Sequence, residues 1–232
     1  MKKLLFLLLI CTVAVLGCAQ KTNEVEKLEV IYFCADHPYC KAAEEYLDQD
    51  FLEIDYCNLR DVNNCSESAR SNLILVVTIP TLISNNKTFY GLFGILDFMN
   101  YLKENGYEVD VPSVVDLVSR VEFHLKSYNN TTEMIQLLED FKKSLNETRV
   151  YFYYSPSCPH CIKVKPFVEE VANETGIVEF CDVSDPANCT INAKIVASFS
   201  ALRGVPTAVI VNSTSEKVLT GEIEVKSLKD YV

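Results

Sequence analysis

Positive charge is scarce in this chain. Lysine and arginine number 21 against 32 aspartates and glutamates, a formal net charge of −11. That balance argues against nucleic acid as a partner. Long apolar runs are scarce too, and the one near the start, Leu4 to Leu16, is short for a membrane-spanning helix. A second C-x-x-C is missing. The single copy, Cys158 to Cys161, offers two ligands where zinc takes about four, so neither a metal nor another cofactor is expected.

The Leu4–Leu16 run follows Lys2 and Lys3, so residues 1–18 read as a signal peptide. They end in Val15-Leu16-Gly17-Cys18, which resembles a lipobox. Cleavage before Cys18 leaves its thiol to carry a lipid anchor; cleavage after Ala19 does not. Either way export is expected, to the outer face of the cytoplasmic membrane or beyond it. Eight N-x-S/T sequons, at Asn64, Asn86, Asn129, Asn130, Asn146, Asn173, Asn188 and Asn212, are an excess that points to surface glycans. Setting Cys11 and Cys18 aside leaves eight of the ten cysteines, an even number suited to a disulfide-permissive compartment.

The strongest signal is a repeat. Asp55-Tyr56-Cys57 and Asn64-Cys65-Ser66 recur 124 positions later as Glu179-Phe180-Cys181 and Asn188-Cys189-Thr190. His37-Pro38-Tyr39-Cys40 precedes the first pair and Cys158-Pro159-His160-Cys161 the second; Ile79-Pro80-Thr81 and Val205-Pro206-Thr207 follow them. Each copy opens on an apolar run with strand character, Leu28–Phe33 or Val150–Tyr154. A helix starting at Pro38 or Pro159 follows, then a second strand, Phe51–Tyr56 or Ile177–Asp182. Helical stretches are expected at 66–72 and 187–202, and hairpins at 81–90 and 207–220. The copies close on helices at 91–105 and, starting late, 225–232. Between them Val114, Leu117, Val118, Val121 and Leu125 form one helical stripe. Met134, Leu137, Leu138, Phe141 and Leu145 form another, opened by Asn130 and Glu133 as in a capping box. The break at 127–132 separates them. Both stripes are expected to face a core.

This order resembles the thioredoxin fold, over 28–106 and 149–232. The most specific residues run from Tyr151 through Cys158-Pro159-His160-Cys161, with Gly204-Val205-Pro206-Thr207. The chain looks like a tandem member of the protein disulfide oxidoreductase superfamily, with a second-domain tetrapeptide like that of the DsbA-type oxidases. The expected class is α/β: a signal peptide (1–18), a degenerate thioredoxin-like domain (28–106), a helical connector (107–148) and a redox-active thioredoxin-like domain (149–232).

The resemblance implies a thiol:disulfide oxidoreductase acting on cysteines of other exported proteins, in the oxidising direction. Cys158 attacks, Cys161 resolves, and His160 favours the Cys158 thiolate. Val205 and Pro206, the latter in a cis-proline loop, face the substrate. A quinone-linked membrane partner of the DsbB or vitamin K epoxide reductase type is implied as the reoxidant. A helix start is itself a good place for a thiolate. One departure stands out: where many relatives keep a buried acid, six residues before the first cysteine, this chain has Phe152, leaving proton transfer to water or Lys163.

Other readings stay open. Cys158–Cys161 could be a small structural disulfide or half a zinc site. Cys57–Cys65 and Cys181–Cys189 read as structural disulfides or as a redox relay. In the first copy His37 replaces the nucleophile, as a remnant or a catalyst, and leaves Cys40 to pair with Cys34. The alternative function is a client- or peptide-binding lipoprotein with structural disulfides.

Overall fold

The computed structural model describes residues 27–126 and 132–232. The signal peptide, Cys11, Cys18, Asn129 and the proposed Asn130 cap lie outside the described residues.

Two four-stranded mixed sheets form the frame. The first half contributes β1 (Leu28–Cys34), α1 (Pro38–Leu47), β2 (Leu52–Asn58), α2 (Glu67–Asn72), β3 (Thr81–Ser84), β4 (Lys87–Tyr90) and α3 (Phe93–Glu104). After α4 (Val114–Leu125) and α5 (Thr132–Ser144), the second half contributes β5 (Arg149–Tyr154), α6 (Pro159–Thr175), β6 (Val178–Asp182), α7 (Ile191–Ser200), β7 (Thr207–Val211), β8 (Glu216–Thr220) and α8 (Gly221–Val225). The sheet orders are β2-β1-β3-β4 and β6-β5-β7-β8. In each, the first pair is parallel and the others antiparallel. These are two thioredoxin-like sheets in tandem, as expected.

The repeat extends to individual hydrogen bonds. Asn64 donates to Asp61 at 2.6 Å and Asn188 to Asp185 at 2.5 Å. The N-cap hydroxyls of α2 and α7, on Ser66 and Thr190, reach back to Asp55 and Glu179 on the neighbouring strands. Thr81 Oγ1 donates to the Thr78 carbonyl at 2.7 Å, and Thr207 Oγ1 to that of Gly204 at 2.8 Å. Gly91 and Gly221, both with positive φ, donate to the carbonyls of Pro80 and Pro206 at 2.8 Å. Ile79–Pro80 and Val205–Pro206 are both cis.

The halves stack front to back. On the first sheet, Tyr32, Leu82, α1 and α3 share the main core with the α4 and α5 stripes. The same core continues into Tyr151, Tyr153, Val209 and α7, which lie on the opposite face of the second sheet. The other side of the second sheet has its own core, where Phe152 and Ala208 meet Val164 and Val168 of α6 and Val225 of α8. The first sheet's remaining face holds a small cluster around Phe33, the Cys57–Cys65 bridge and Ala69. At the seam Tyr39 meets Phe199 edge-on at 5.3 Å and Ser198 through its hydroxyl at 3.3 Å. Gly91 lies so close to the second half that a Cβ there would stand 2.4 Å from the Phe199 carbonyl oxygen.

Two expectations need correction. The last helix begins at Gly221, not Val225, and gives way to a short 3-10 turn at Leu228–Asp230. Its start is set by Glu224, whose carboxylate accepts from the Thr220 backbone N–H at 2.8 Å. Met134 of the α5 stripe is 44% exposed. It lines a cavity with His37 and Arg60 instead of packing under the helix.

Candidate active site

Cys158 is the N-cap of α6, with Pro159 in the first turn where no backbone donor is needed. Its sulfur therefore faces the unpaired N–H groups of the helix start. The Cys161 N–H donates to Cys158 Sγ at 3.3 Å, and Sγ lies 3.6 Å from the Val205 carbonyl oxygen. The chain thus brings Cys158, Cys161, Val205 and Pro206 to one corner. Both thiols are free. Cys158 is partly exposed, while Cys161 is buried at 1%.

The pair is electrostatically unequal. The Cys161 thiol, hydrogen-bonded to Cys158, does most to hold the Cys158 pKa below the ordinary thiol value. Burial opposes this, and the backbone N–H groups of Cys161 and His160 add smaller contributions in the lowering direction. Burial pushes the Cys161 thiol up to about 11, reinforced by its bond to Cys158. The two thiols are thus separated in acidity, the partly exposed one shifted down and the buried one shifted up.

His160 helps through its backbone. Its ring turns to α8, with Nδ1 3.1 Å from Glu222 Oε2. Glu222 is also reached by Lys226 at 2.8 Å and Lys163 at 3.7 Å. Bonds to Lys226 and then His160 bring its carboxyl down to about 2, so the ring nitrogen is the donor. Glu222 carries no motif in the sequence; only the fold joins α8 to the start of α6.

The other cysteines among the described residues are bridged: Cys34–Cys40, Cys57–Cys65 and Cys181–Cys189. In the first half, His37 caps α1 as Cys158 caps α6, its Nδ1 accepting from the Tyr39 N–H at 3.3 Å. Burial, then the Arg60 charge, hold the His37 pKa below its usual value. No cluster of three or more His, Cys, Asp or Glu suited to a metal occurs among the described residues.

A thioredoxin family model matches residues 133–232, so the second half, from within α5 onward, carries a thioredoxin-like domain. No curated protein matches the chain. Among solved structures it is similar to mitochondrial thioredoxin 3 of Saccharomyces cerevisiae, at 18% identity over 40% of this chain and 85% of that one, with a TM-score of 0.30. It is also similar to Fasciola hepatica thioredoxin, at 23% identity over 43% and 89%, with a TM-score of 0.30.

Proposed function

We propose that the protein is an exported thiol:disulfide oxidoreductase that oxidises cysteine pairs in other exported proteins. The observation that carries this is the unequal pair at α6: a partly exposed Cys158 whose pKa is lowered beside a buried Cys161 whose pKa is raised to about 11. With Cys158–Cys161 as the disulfide, a client thiolate attacks Cys158 Sγ and expels Cys161, which takes a proton. The client's second thiolate then attacks the client sulfur of the mixed disulfide and expels the Cys158 thiolate. Two electrons pass from client to enzyme; of the two protons the client thiols give up, one stays on Cys161 and one is released. The stabilised Cys158 thiolate favours the reduced enzyme, which makes its disulfide an oxidant. Exposed Ile162 and Ile223, at 60% and 88%, suit a polypeptide client. The electrons then leave to a quinone-linked membrane partner, with the chain held at the membrane by a lipid on Cys18.

The test is the reduction potential of the couple together with turnover on a reduced client peptide. A potential nearer about −120 mV than about −270 mV, with turnover lost in Cys158→Ser, supports the reading. Client binding that persists in Cys158→Ser, with no redox turnover in the native protein, favours a client-binding module instead.

A further inference from the structure

Position 160 is where the two halves part company. The motif counterpart of His160 is Tyr39, and the residue after the paired glycines is Leu92 in the first half and Glu222 in the second. Tyr39 packs on Phe199, and Leu92 is fully buried. The two residues that join α6 to α8 in the reactive half are thus replaced in the other half by two that serve packing. The His160–Glu222 contact belongs to the half with free thiols.

The contact has a cost for Cys158. An imidazole N–H aimed at a sulfur, or a positive charge beside it, favours the thiolate. Here Nδ1 is spent on a carboxylate 3.1 Å away. That same carboxylate engages Lys163 of α6 and Lys226 of α8, so three donors converge on one anion. Glu224, the other acid of α8, is turned to the Thr220 backbone. Glu222 is ionised throughout the working range because its carboxyl is held near 2.

We propose that Glu222 is a positioning residue that limits how oxidising the Cys158–Cys161 couple is, by anchoring the His160 ring on α8 away from the nucleophile. This rests on the oxidoreductase reading above. Without the anchor the ring is free to turn its N–H toward Cys158, and the corner gains one unit of positive charge. Both changes stabilise the thiolate.

The experiment is a thermodynamic cycle of native protein, Glu222→Gln, His160→Ser and the double variant, each equilibrated with glutathione and titrated for Cys158 alkylation against pH. Glu222→Gln is expected to move the equilibrium toward the dithiol about tenfold, near 30 mV for a two-electron couple, and to extend Cys158 alkylation to lower pH. In the His160→Ser background the same change should lose at least half its effect, because the carboxylate acts through the ring. A Glu222→Gln protein with unaltered potential overturns the proposal. So does an equal shift in both backgrounds, which makes Glu222 a general surface charge. A native couple that does not equilibrate with glutathione at all removes the oxidoreductase reading itself, a distinct failure. Melting curves of all four proteins separate a folding defect from a shift in potential.

Discussion

Cys158 and Cys161 are three residues apart and chemically far apart, because one sits at the mouth of a helix and the other one turn inside it. Alkylation at mildly acidic pH after gentle reduction should therefore label Cys158 first; equal labelling of both thiols would contradict the assignment. Cys158→Ser should abolish turnover with little change in melting temperature, as the pair contributes no bridge in the dithiol form. Cys40→Ser should do the reverse. It keeps turnover but lowers stability by about 2 kcal/mol, the chain-entropy value for so short a loop. Comparing turnover and melting of the two variants checks both. That Cys158, Cys161 and Pro206 would meet at one corner was legible in the sequence because C-x-x-C at a helix start and hydrophobic-Pro-Thr are local patterns. Glu222 was not, since what makes it matter is a contact with a residue 62 positions away. The ring of His160 was legible as a residue of the site but not in its direction.

At the scale of elements, the paired glycines offer a controlled comparison. Gly91 and Gly221 share a positive φ, +69° and +87°, and the same bond to the cis-proline carbonyl. A side chain at Gly221 meets open space, whereas at Gly91 it meets the Phe199 backbone. Gly221→Ala should cost about 1–2 kcal/mol from backbone strain alone. Gly91→Ala should cost clearly more, because backbone atoms of the other half must move. Urea melts of the two variants decide it, and equal losses would mean the seam yields easily. Most elements were readable beforehand. The hairpin at Asn85-Asn86, both with positive φ, follows from the tolerance of asparagine for that region. The end of the chain was misread because a five-residue helix has too few positions to show a period. Gly221 is its first residue.

For the whole molecule, the seam carries a titratable pair. Glu216 of β8 has a buried carboxylate oxygen without a hydrogen-bond partner. Burial, then the charge of Asp97 on α3, raise its pKa well above the ordinary value, with Lys217 opposing. Burial raises Asp97 likewise. A carboxyl whose folded pKa lies above its unfolded one binds more protons when folded, so stability falls as pH rises from the unfolded value, about 4.3, through the folded one. Glu216→Gln should therefore flatten the pH dependence of melting and stabilise the protein by about 1–2 kcal/mol at pH 8, with little effect at pH 4. An unchanged slope would show that the pair does not titrate in this window. None of this was legible in the sequence. Acids 119 positions apart on two copies of one motif say nothing of facing each other until the stacking is known.

That stacking joins unlike faces, the α1 and α3 side of one half to the α7 side of the other. Such an arrangement is head-to-tail and has no two-fold axis, so repeating it does not stop at two copies. Two separate copies of either half, paired this way, would leave a sticky face at each end and invite a third. Fusion with divergence is one way out: the half whose redox corner would be covered gives up its nucleophile and keeps its fold, and the half at the free end keeps its thiols. A circular permutant that placed residues 149–232 ahead of residues 28–106 would have to hold the same seam across a new link, and residues 149–232 would still carry the free thiols.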